Sequence, residues 1–215
     1  MGLLDYAPGK TRIKICGLRT PADIEAAIKA KVDAIGLVFY PHSPRYVTPV
    51  LAAQISRSVP AFVTVVGLFV NASESEVREV LAQVPLQCLQ FHGDEPAEFC
   101  RQFNLPYMRA VRVHAQSNLL QYVRQFDDAQ ALLLDAYVEG VPGGTGQSFD
   151  WDLIPHDLPI PIVLAGGLSA ENVRQAIQTV KPYAVDVSGG VEQAKGIKSK
   201  QKIVAFMQGV RHATL

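Results

Sequence analysis

The sequence predicts an α/β protein built as a single (β/α)8 TIM barrel, and three observations lead to this prediction. Eight apolar, strand-like runs alternate with helical patterns along the chain, which favours a parallel sheet. The length of 215 residues suits one barrel of this kind. The last two strand-like runs, PIVLA and AVDVS, each lead into paired glycines, a pattern typical of barrels whose final loops hold a phosphate.

The predicted elements follow from apolar runs and helix-start signals. The strands are predicted over residues 12–16, 34–39, 62–70, 88–92, 107–113, 131–136, 161–165 and 184–188. The helices are predicted over residues 21–31, 49–58, 73–83, 96–102, 117–126, 170–180 and 200–208, with only a weak helix around 149–153. Thr20 before Pro21 is an N-cap followed by an N1 proline, and Ser73 with Glu76 predicts a capping box. The first strand is not followed by G-x-G-x-x-G, which disfavours a dinucleotide-binding fold.

Composition excludes several classes of function. Lys+Arg and Asp+Glu each number 20, so the chain lacks the basic field typical of nucleic-acid binding. No apolar run is long enough to span a membrane. The three cysteines lack metal-type spacing, the histidines form no ligand cluster, and no secretory signal is seen, so we expect a cytoplasmic protein without a metal site. One barrel domain over residues 12–215, preceded by a tail at 1–11, is the simplest organisation.

The paired glycines predict an anion site. Gly166 and Gly167 follow one strand and lead into a helical pattern, so the chain can approach an anion closely there and offer it free N–H groups. Ser188, Gly189 and Gly190 follow the next strand in the same way. Each pair alone could simply make a tight turn, but two pairs at successive strand ends favour a phosphate site.

The first strand carries a candidate base. Side chains alternate along a strand, so Lys14 and Cys16 share one face, and we expect that face to line the barrel interior. A nearby cation stabilises a thiolate, which makes Cys16 a candidate base or nucleophile. The alternative is a small buried thiol that packs as an apolar group. Because a buried Lys14 needs a partner, we predict an ion pair with Asp186 on the neighbouring eighth strand.

Two further strand ends carry candidate acid–base groups. Asp135 follows the run Leu132–Leu134. Burial there would raise the pKa of its carboxyl group and so make it a usable general acid near neutral pH. It could instead cap the following loop. His92 ends the fourth strand, where it could bind substrate or hold the loop through a hydrogen bond.

Two loops carry candidate ligands for the substrate. Pro41 and Pro44 stiffen the loop that carries Arg45, and a guanidinium at the rim suits a carboxylate. A solvated surface arginine is the alternative. The loop 141–146, which includes Gly144, is glycine-rich enough to wrap a ligand, although it could also be a plain connection.

Taken together, these segments resemble the phosphoribosylanthranilate isomerase family from Arg12 to Phe206. The resemblance rests on seven motifs in order: KICG at Lys14–Gly17, FxxxSPRYV at Phe39–Val47, QFHGDE at Gln90–Glu95, LLLD at Leu132–Asp135, GGTGxxFDW at Gly143–Trp151, LAGGLxxENV at Leu164–Val173 and VDVSGGVE at Val185–Glu192. The chain departs from the family at residues 195–199, where a Pro-Gly followed by Lys-Asp is usual. We therefore expect a looser loop there.

The resemblance implies a cofactor-free barrel enzyme of tryptophan biosynthesis. It implies conversion of N-(5′-phosphoribosyl)anthranilate to 1-(2-carboxyphenylamino)-1-deoxyribulose 5-phosphate by an Amadori rearrangement. In that case Cys16 is the general base, Asp135 is the general acid and Arg45 meets the anthranilate carboxylate. The turns at Gly144, Gly166–Gly167 and Gly189–Gly190 correspond to the phosphate side. The partner is then a small phosphoribosyl compound, and the choice between monomer and homodimer stays open.

Two alternatives to this function remain at the level of sequence. The first is a related phosphate-binding barrel isomerase of histidine biosynthesis, which would have an Asp where Cys16 stands and two similar half-barrels. The second is a binding module that keeps the phosphate site without catalysis. The presence of both Cys16 and Asp135 argues against it.

Overall fold

Eight parallel strands close into a barrel in the computed structural model, which describes residues 10–136, 150–155 and 157–213. The strands β1 to β8 cover Arg12–Cys16, Ala34–Val38, Thr64–Phe69, Cys88–Phe91, Tyr107–Val113, Ala131–Ala136, Ile162–Leu164 and Ala184–Val187. Each strand pairs in parallel with the next one along the chain, and β8 pairs with β1. The predicted (β/α)8 barrel is confirmed. The predicted tail lies almost entirely outside the described residues and stays a prediction.

The helices surround the barrel and begin largely where their caps predict. Helices α1 to α7 cover Pro21–Ala30, Pro49–Ser56, Glu74–Gln83, Ala97–Arg101, Leu119–Gln125, Val173–Val180 and Lys200–Ala213. Thr20 caps α1 with Pro21 in its first turn, and Ser73 caps α3 in a capping box with Glu76, both as predicted. The weak helix predicted around 149–153 is a short 3₁₀ helix at Trp151–Leu153.

The two largest differences between predicted and observed helix boundaries have local causes. Helix α6 begins at Val173 rather than at residue 170, because Asn172 accepts the N–H of Ser169 at 2.8 Å and holds a turn before the helix. Helix α7 continues past Gly209 instead of ending before it. A Cβ at Gly209 would lie 2.7 Å from Val173 Cγ1, so this glycine allows α7 to pack closely on α6.

The apolar side chains divide into three groups that leave one end of the barrel polar. The largest group lies between the strands and the surrounding helices. A second group lies inside the barrel and consists of four alanines, one methionine and three branched residues: Val66, Met108, Ala110, Ala131, Leu133, Val163, Ala165 and Ala184. A third, smaller group lies nearer the carboxyl ends of the strands and includes Cys16, Val38, Leu68 and Val70. The polar groups of the site lie above this last group.

The segment after β8 forms a hairpin that the sequence did not predict. Strands β9 (Glu192–Ala194) and β10 (Ile197–Lys198) pair antiparallel around Gly196, whose φ is +78°. A Cβ at Gly196 would lie 2.5 Å from the carbonyl oxygen of Pro44, so the hairpin packs closely against the β2–α2 loop. The looser loop expected at 195–199 stays a prediction, and the backbone pairing and this contact both hold the segment where the family has a proline.

Candidate active site

A cavity of about 720 Å³ opens at the carboxyl ends of the strands. Nine of the ten predicted site residues line it: Cys16, Arg45, His92, Asp135, Gly166, Gly167, Ser188, Gly189 and Gly190. The tenth, Gly144, lies with the glycine-rich loop 141–146 outside the described residues. The fold therefore brings together strand ends that are as far apart in sequence as β1 and β8.

Cys16 is the last residue of β1, and its thiol faces the cavity. Gly36 on β2 makes room for it, since a Cβ there would lie 2.7 Å from Cys16 Sγ. Burial raises the pKa of the thiol above its ordinary value, and the charge of Lys14 opposes this only in part. The cation predicted to favour the thiolate is present, but desolvation by burial outweighs it.

The predicted ion pair below Cys16 is confirmed. Lys14 Nζ donates to Asp186 Oδ2 at 2.9 Å, and both side chains are buried. The register explains the contact, because Lys14 and Asp186 are directly paired across β1 and β8. Asp186 Oδ1 is buried without a hydrogen-bond partner among the described residues, although Asp186 borders the cavity. The pair therefore places a cation and a carboxylate near the thiol, and these shift the pKa of Cys16 in opposite directions.

Asp135 lies across the same cavity in a chain of hydrogen bonds. Its Oδ1 accepts the N–H of Ala136 at 2.8 Å, and its Oδ2 lies 3.1 Å from His92 Nε2. The other ring nitrogen of His92 lies 2.9 Å from Gln90 Nε2. Gly166 allows this crowding, since a Cβ there would lie 2.9 Å from Asp135 Oδ1. His92 therefore contacts the candidate acid directly, and neither of the two roles weighed for it from sequence included this contact.

Arg45 is not a solvated surface residue. Its guanidinium is buried against Glu192, with Nε donating to Oε1 at 2.7 Å and Nη2 donating to Oε2 at 2.9 Å. Lys198 Nζ donates to the same Glu192 at 2.8 Å and to the carbonyl oxygen of Ser188 at 3.0 Å. This network joins the β2–α2 loop to the end of β8.

The two glycine turns border the cavity and carry main-chain donors that could bind an anion. Gly166 and Gly167 have φ values of +78° and +63°, a conformation that favours glycine. Within the described ranges, the N–H groups of Gly166, Gly167, Gly189 and Gly190 have no hydrogen-bond partner. Asn172 supports the first turn by donating to the carbonyl oxygen of Gly167 at 2.9 Å. Such a pair of turns suits a phosphate.

The motif QFHGDE contains a residue that sequence reasoning did not explain. Glu95 is buried, accepts the N–H groups of Asn71 and Gly93 at 2.7 and 2.9 Å, and pairs with Arg109 at 2.7 Å. It ties the end of β4 to the end of β3 and thereby fixes the strand end that carries His92. A charged residue two places after a strand-end glycine is the only signal that the sequence offered.

Three other residues of the site were missed for related reasons. Gln90, Glu192 and Lys198 are polar residues in short elements, and only the contacts described above give them a role. Gln90 opens the motif QFHGDE and Glu192 ends the motif VDVSGGVE, and these two motifs were the available signals. Among the described residues, no group of three or more His, Cys, Asp or Glu side chains is arranged to hold a metal ion. No helix in the described ranges has the length and apolar character needed to cross a membrane.

Comparison with known proteins gives one consistent answer. Residues 13–209 match the family described as N-(5′-phosphoribosyl)anthranilate (PRA) isomerase. The chain is 57% identical over 203 residues to N-(5′-phosphoribosyl)anthranilate isomerase of Pseudomonas syringae pv. tomato, covering 94% of this chain and 98% of that protein. It is 54% identical to the enzyme of the same name from Dechloromonas aromatica, over 95% of this chain and 98% of that protein.

Solved structures agree with the sequence comparison. The phosphoribosyl anthranilate isomerase of Thermotoga maritima superposes with a TM-score of 0.83 at 38% identity, over 94% of this chain and 99% of that one. A phosphoribosyl anthranilate isomerase solved in complex with reduced 1-(o-carboxyphenylamino)-1-deoxyribulose 5-phosphate superposes with a TM-score of 0.77 at 36% identity, with the same coverage. Because the match spans nearly the whole chain in every comparison, this chain belongs to the N-(5′-phosphoribosyl)anthranilate isomerase family.

Proposed function

We propose that Cys16 and Asp135 are the general base and general acid with which this isomerase converts N-(5′-phosphoribosyl)anthranilate to 1-(2-carboxyphenylamino)-1-deoxyribulose 5-phosphate. The observation that carries the proposal is that the thiol and the carboxyl group, 119 positions apart in the sequence numbering, border one cavity at the barrel mouth. An Amadori rearrangement of this substrate needs one proton donor at the ribose ring oxygen and one proton acceptor at C2′. Two groups facing a common cavity can serve both steps.

The first proton transfer opens the ribose ring. Protonated Asp135 donates to the ring oxygen, the bond between this oxygen and C1′ breaks, and the anthranilate nitrogen becomes a cationic imine. The N–H of Ala136 holds Oδ1 in place, which leaves Oδ2 as the oxygen that shares a proton with His92 or with the substrate. His92 thus keeps the carboxyl group oriented toward the cavity.

The second proton transfer forms the product. Cys16 removes the proton from C2′, and the electrons of that C–H bond neutralise the imine to give an enolamine. This enolamine then tautomerises to the ketone. The positive charge of the imine acidifies the C–H bond, and it also favours a thiolate nearby, which offsets the effect of burial on the pKa of Cys16. General acid–base steps of this kind contribute about 10²–10⁴-fold each.

Two anchors would hold the reacting carbons between these groups. The N–H groups of Gly166, Gly167, Gly189 and Gly190, which have no partner among the described residues, suit the phosphate. The guanidinium of Arg45 borders the same cavity and suits the anthranilate carboxylate. Anchoring a flexible substrate at both ends supplies the positional part of catalysis. Both anchors bind anions, so a chain without net charge needs positive potential only at this mouth.

Steady-state kinetics with freshly prepared phosphoribosylanthranilate tests the proposal. We expect Cys16→Ser and Asp135→Asn to fold, to bind the reduced product analogue and to lose kcat by about 10²–10⁴-fold. Cys88→Ser is the matched thiol control, because Cys88 lies on β4 and does not border the cavity. Near-normal kcat/KM in Cys16→Ser would remove the base assignment. Binding without turnover in the unaltered protein would favour a non-catalytic module.

We also propose a cytoplasmic location. Cys16, Cys88 and Cys100 are all free, and free thiols are kept reduced in the cytosol, where disulfides are rare. Cell fractionation with a specific antibody tests this, and recovery from an oxidising compartment would contradict it.

A further inference from the structure

One edge of the Arg45 guanidinium is held by Glu192, and the other edge is not held by any described residue. Glu192 binds the edge formed by Nε and Nη2, at 2.7 and 2.9 Å. Nη1 has no hydrogen-bond partner among the described residues, and this atom is not fully buried. The edge formed by Nη1 and Nη2 is therefore available to a carboxylate from the cavity that Arg45 borders.

Glu192 is itself fixed by two donors in addition to Arg45. Lys198 Nζ donates to Oε1 at 2.8 Å, and the N–H of Gly196 donates to Oε2 at 3.1 Å. Burial alone would raise the pKa of Glu192, but Arg45 and Lys198 outweigh burial and lower it to about 2. The carboxylate is thus ionised at neutral pH. Two cations against one anion leave an excess positive charge at this side of the cavity.

The aliphatic part of Arg45 is also confined. A Cβ at Gly17 would lie 2.6 Å from Arg45 Cδ, so the side chain runs directly over the backbone that follows Cys16. A free arginine side chain loses about 2 kcal/mol of rotamer entropy when a ligand orders it. A guanidinium that is already fixed avoids most of this loss and keeps the geometry of its free edge.

We propose that Glu192 is a positioning residue that fixes Arg45 so that its free edge recognises the carboxylate on the aromatic ring of the substrate. This inference rests on the proposed role of Arg45 and adds the residue that aims it. Lys198 and the β9–β10 hairpin complete the support by fixing Glu192 in turn. Glu192 would thereby contribute to the choice of an ortho-carboxylated ring over an unsubstituted one without touching the substrate.

Glu192 could compete with the substrate for Arg45 or position Arg45 for it, and these two roles change ligand binding in opposite directions. If Glu192 competed with the substrate for Arg45, removing its charge would strengthen the binding of a carboxylated ligand. If Glu192 positions Arg45, removing its charge weakens that binding. A purely structural Glu192 would weaken every ligand equally. A pair of ligands that differ only in the ring carboxylate therefore separates the three cases.

The experiment uses the reduced product analogue and the same compound without its ring carboxylate, with dissociation constants measured by calorimetry. We expect Glu192→Gln to weaken the carboxylated ligand about tenfold or more, the range for a disturbed hydrogen bond to a charged group, and to change the other ligand less than about twofold. Glu74→Gln is the matched control, because Glu74 is an exposed partner of Arg78 at 2.6 Å and neither residue lines the cavity. It should change neither dissociation constant.

Two further variants make every outcome decisive. Arg45→Met should lose affinity only for the carboxylated ligand, and a loss that is equal for both ligands would overturn the roles of Arg45 and Glu192 together. If Arg45→Met loses affinity only for the carboxylated ligand and Glu192→Gln does not, the role of Glu192 alone is overturned. Tighter binding of the carboxylated ligand by Glu192→Gln, or an equal loss of affinity for both ligands in that variant, would also overturn it. If Glu192→Gln does not fold, Glu192→Asp retains the charge but shortens the side chain by one methylene, and the same selective loss is expected.

Discussion

Replacing Gly190 by alanine should separate the two turns that are proposed to hold the phosphate. A Cβ at Gly190 would lie 1.9 Å from the carbonyl oxygen of Leu168, in the turn that follows β7. Real Cβ contacts essentially never fall below 3.0 Å, so the turns must move apart by about 1.1 Å. The φ of Gly190 is not positive, so this effect is steric and does not come from backbone strain.

The separation of the two turns determines how much phosphate binding should be lost. A hydrogen bond of about 2.9 Å that lengthens by about 1.1 Å is no longer a hydrogen bond. If the phosphate stays with one turn, it loses the two N–H donors of the other, each worth about 1.5–3 kcal/mol to a charged acceptor. The loss of about 3–6 kcal/mol corresponds to a KM at least about 100-fold higher, with a smaller change in kcat.

Gly189→Ala is the matched comparison for this prediction. A Cβ at Gly189 would meet only Arg45 Nη2 at 3.5 Å, an ordinary contact, so its KM should rise far less, by at most about fivefold. The assay is steady-state turnover of phosphoribosylanthranilate, with circular dichroism to check the fold. A folded Gly190→Ala variant with a KM within about threefold of the original would refute the reasoning, and so would equal losses in both variants.

Two further predictions concern the groups beneath and at the thiol. Because burial raises the pKa of Cys16, alkylation of this thiol by iodoacetamide should be slow at pH 7 and its rate should still rise at pH 9. Mass mapping of the Cys16 peptide measures the rate, and a rate that levels off near pH 7 would contradict the prediction. Asp186→Asn leaves Lys14 buried without its charged partner and should lower the free energy of unfolding, measured by urea titration, by about 3–5 kcal/mol. The double variant Lys14→Met/Asp186→Asn should recover much of this loss. An unchanged urea midpoint in Asp186→Asn would show that the pair is dispensable for stability.

The sequence predicted the parts of this protein that depend on local pattern. Strand alternation placed Lys14 and Cys16 on one face, and the closed strand order then required the contact between Lys14 and Asp186. Glycine pairs at the ends of two strands predicted unpaired main-chain donors. These inferences succeeded because the periodicity of a strand and the conformational freedom of glycine act within a few residues.

Apart from the pair of Lys14 and Asp186, tertiary structure decided which polar groups touch one another. Arg45 and Glu192 are 147 residues apart, and no local pattern indicated that the guanidinium would be buried against a carboxylate rather than lie at the rim. The short hairpin that carries Glu192 has too few residues to show a strand period, and it is stabilised by contact with the β2–α2 loop. The pKa of Cys16 likewise depends on how completely the barrel desolvates the thiol. Local sequence thus determined the elements and the reactive groups, whereas packing decided most of their partners and the direction in which the pKa of Cys16 is shifted, because these depend on atoms brought together only when the barrel closes.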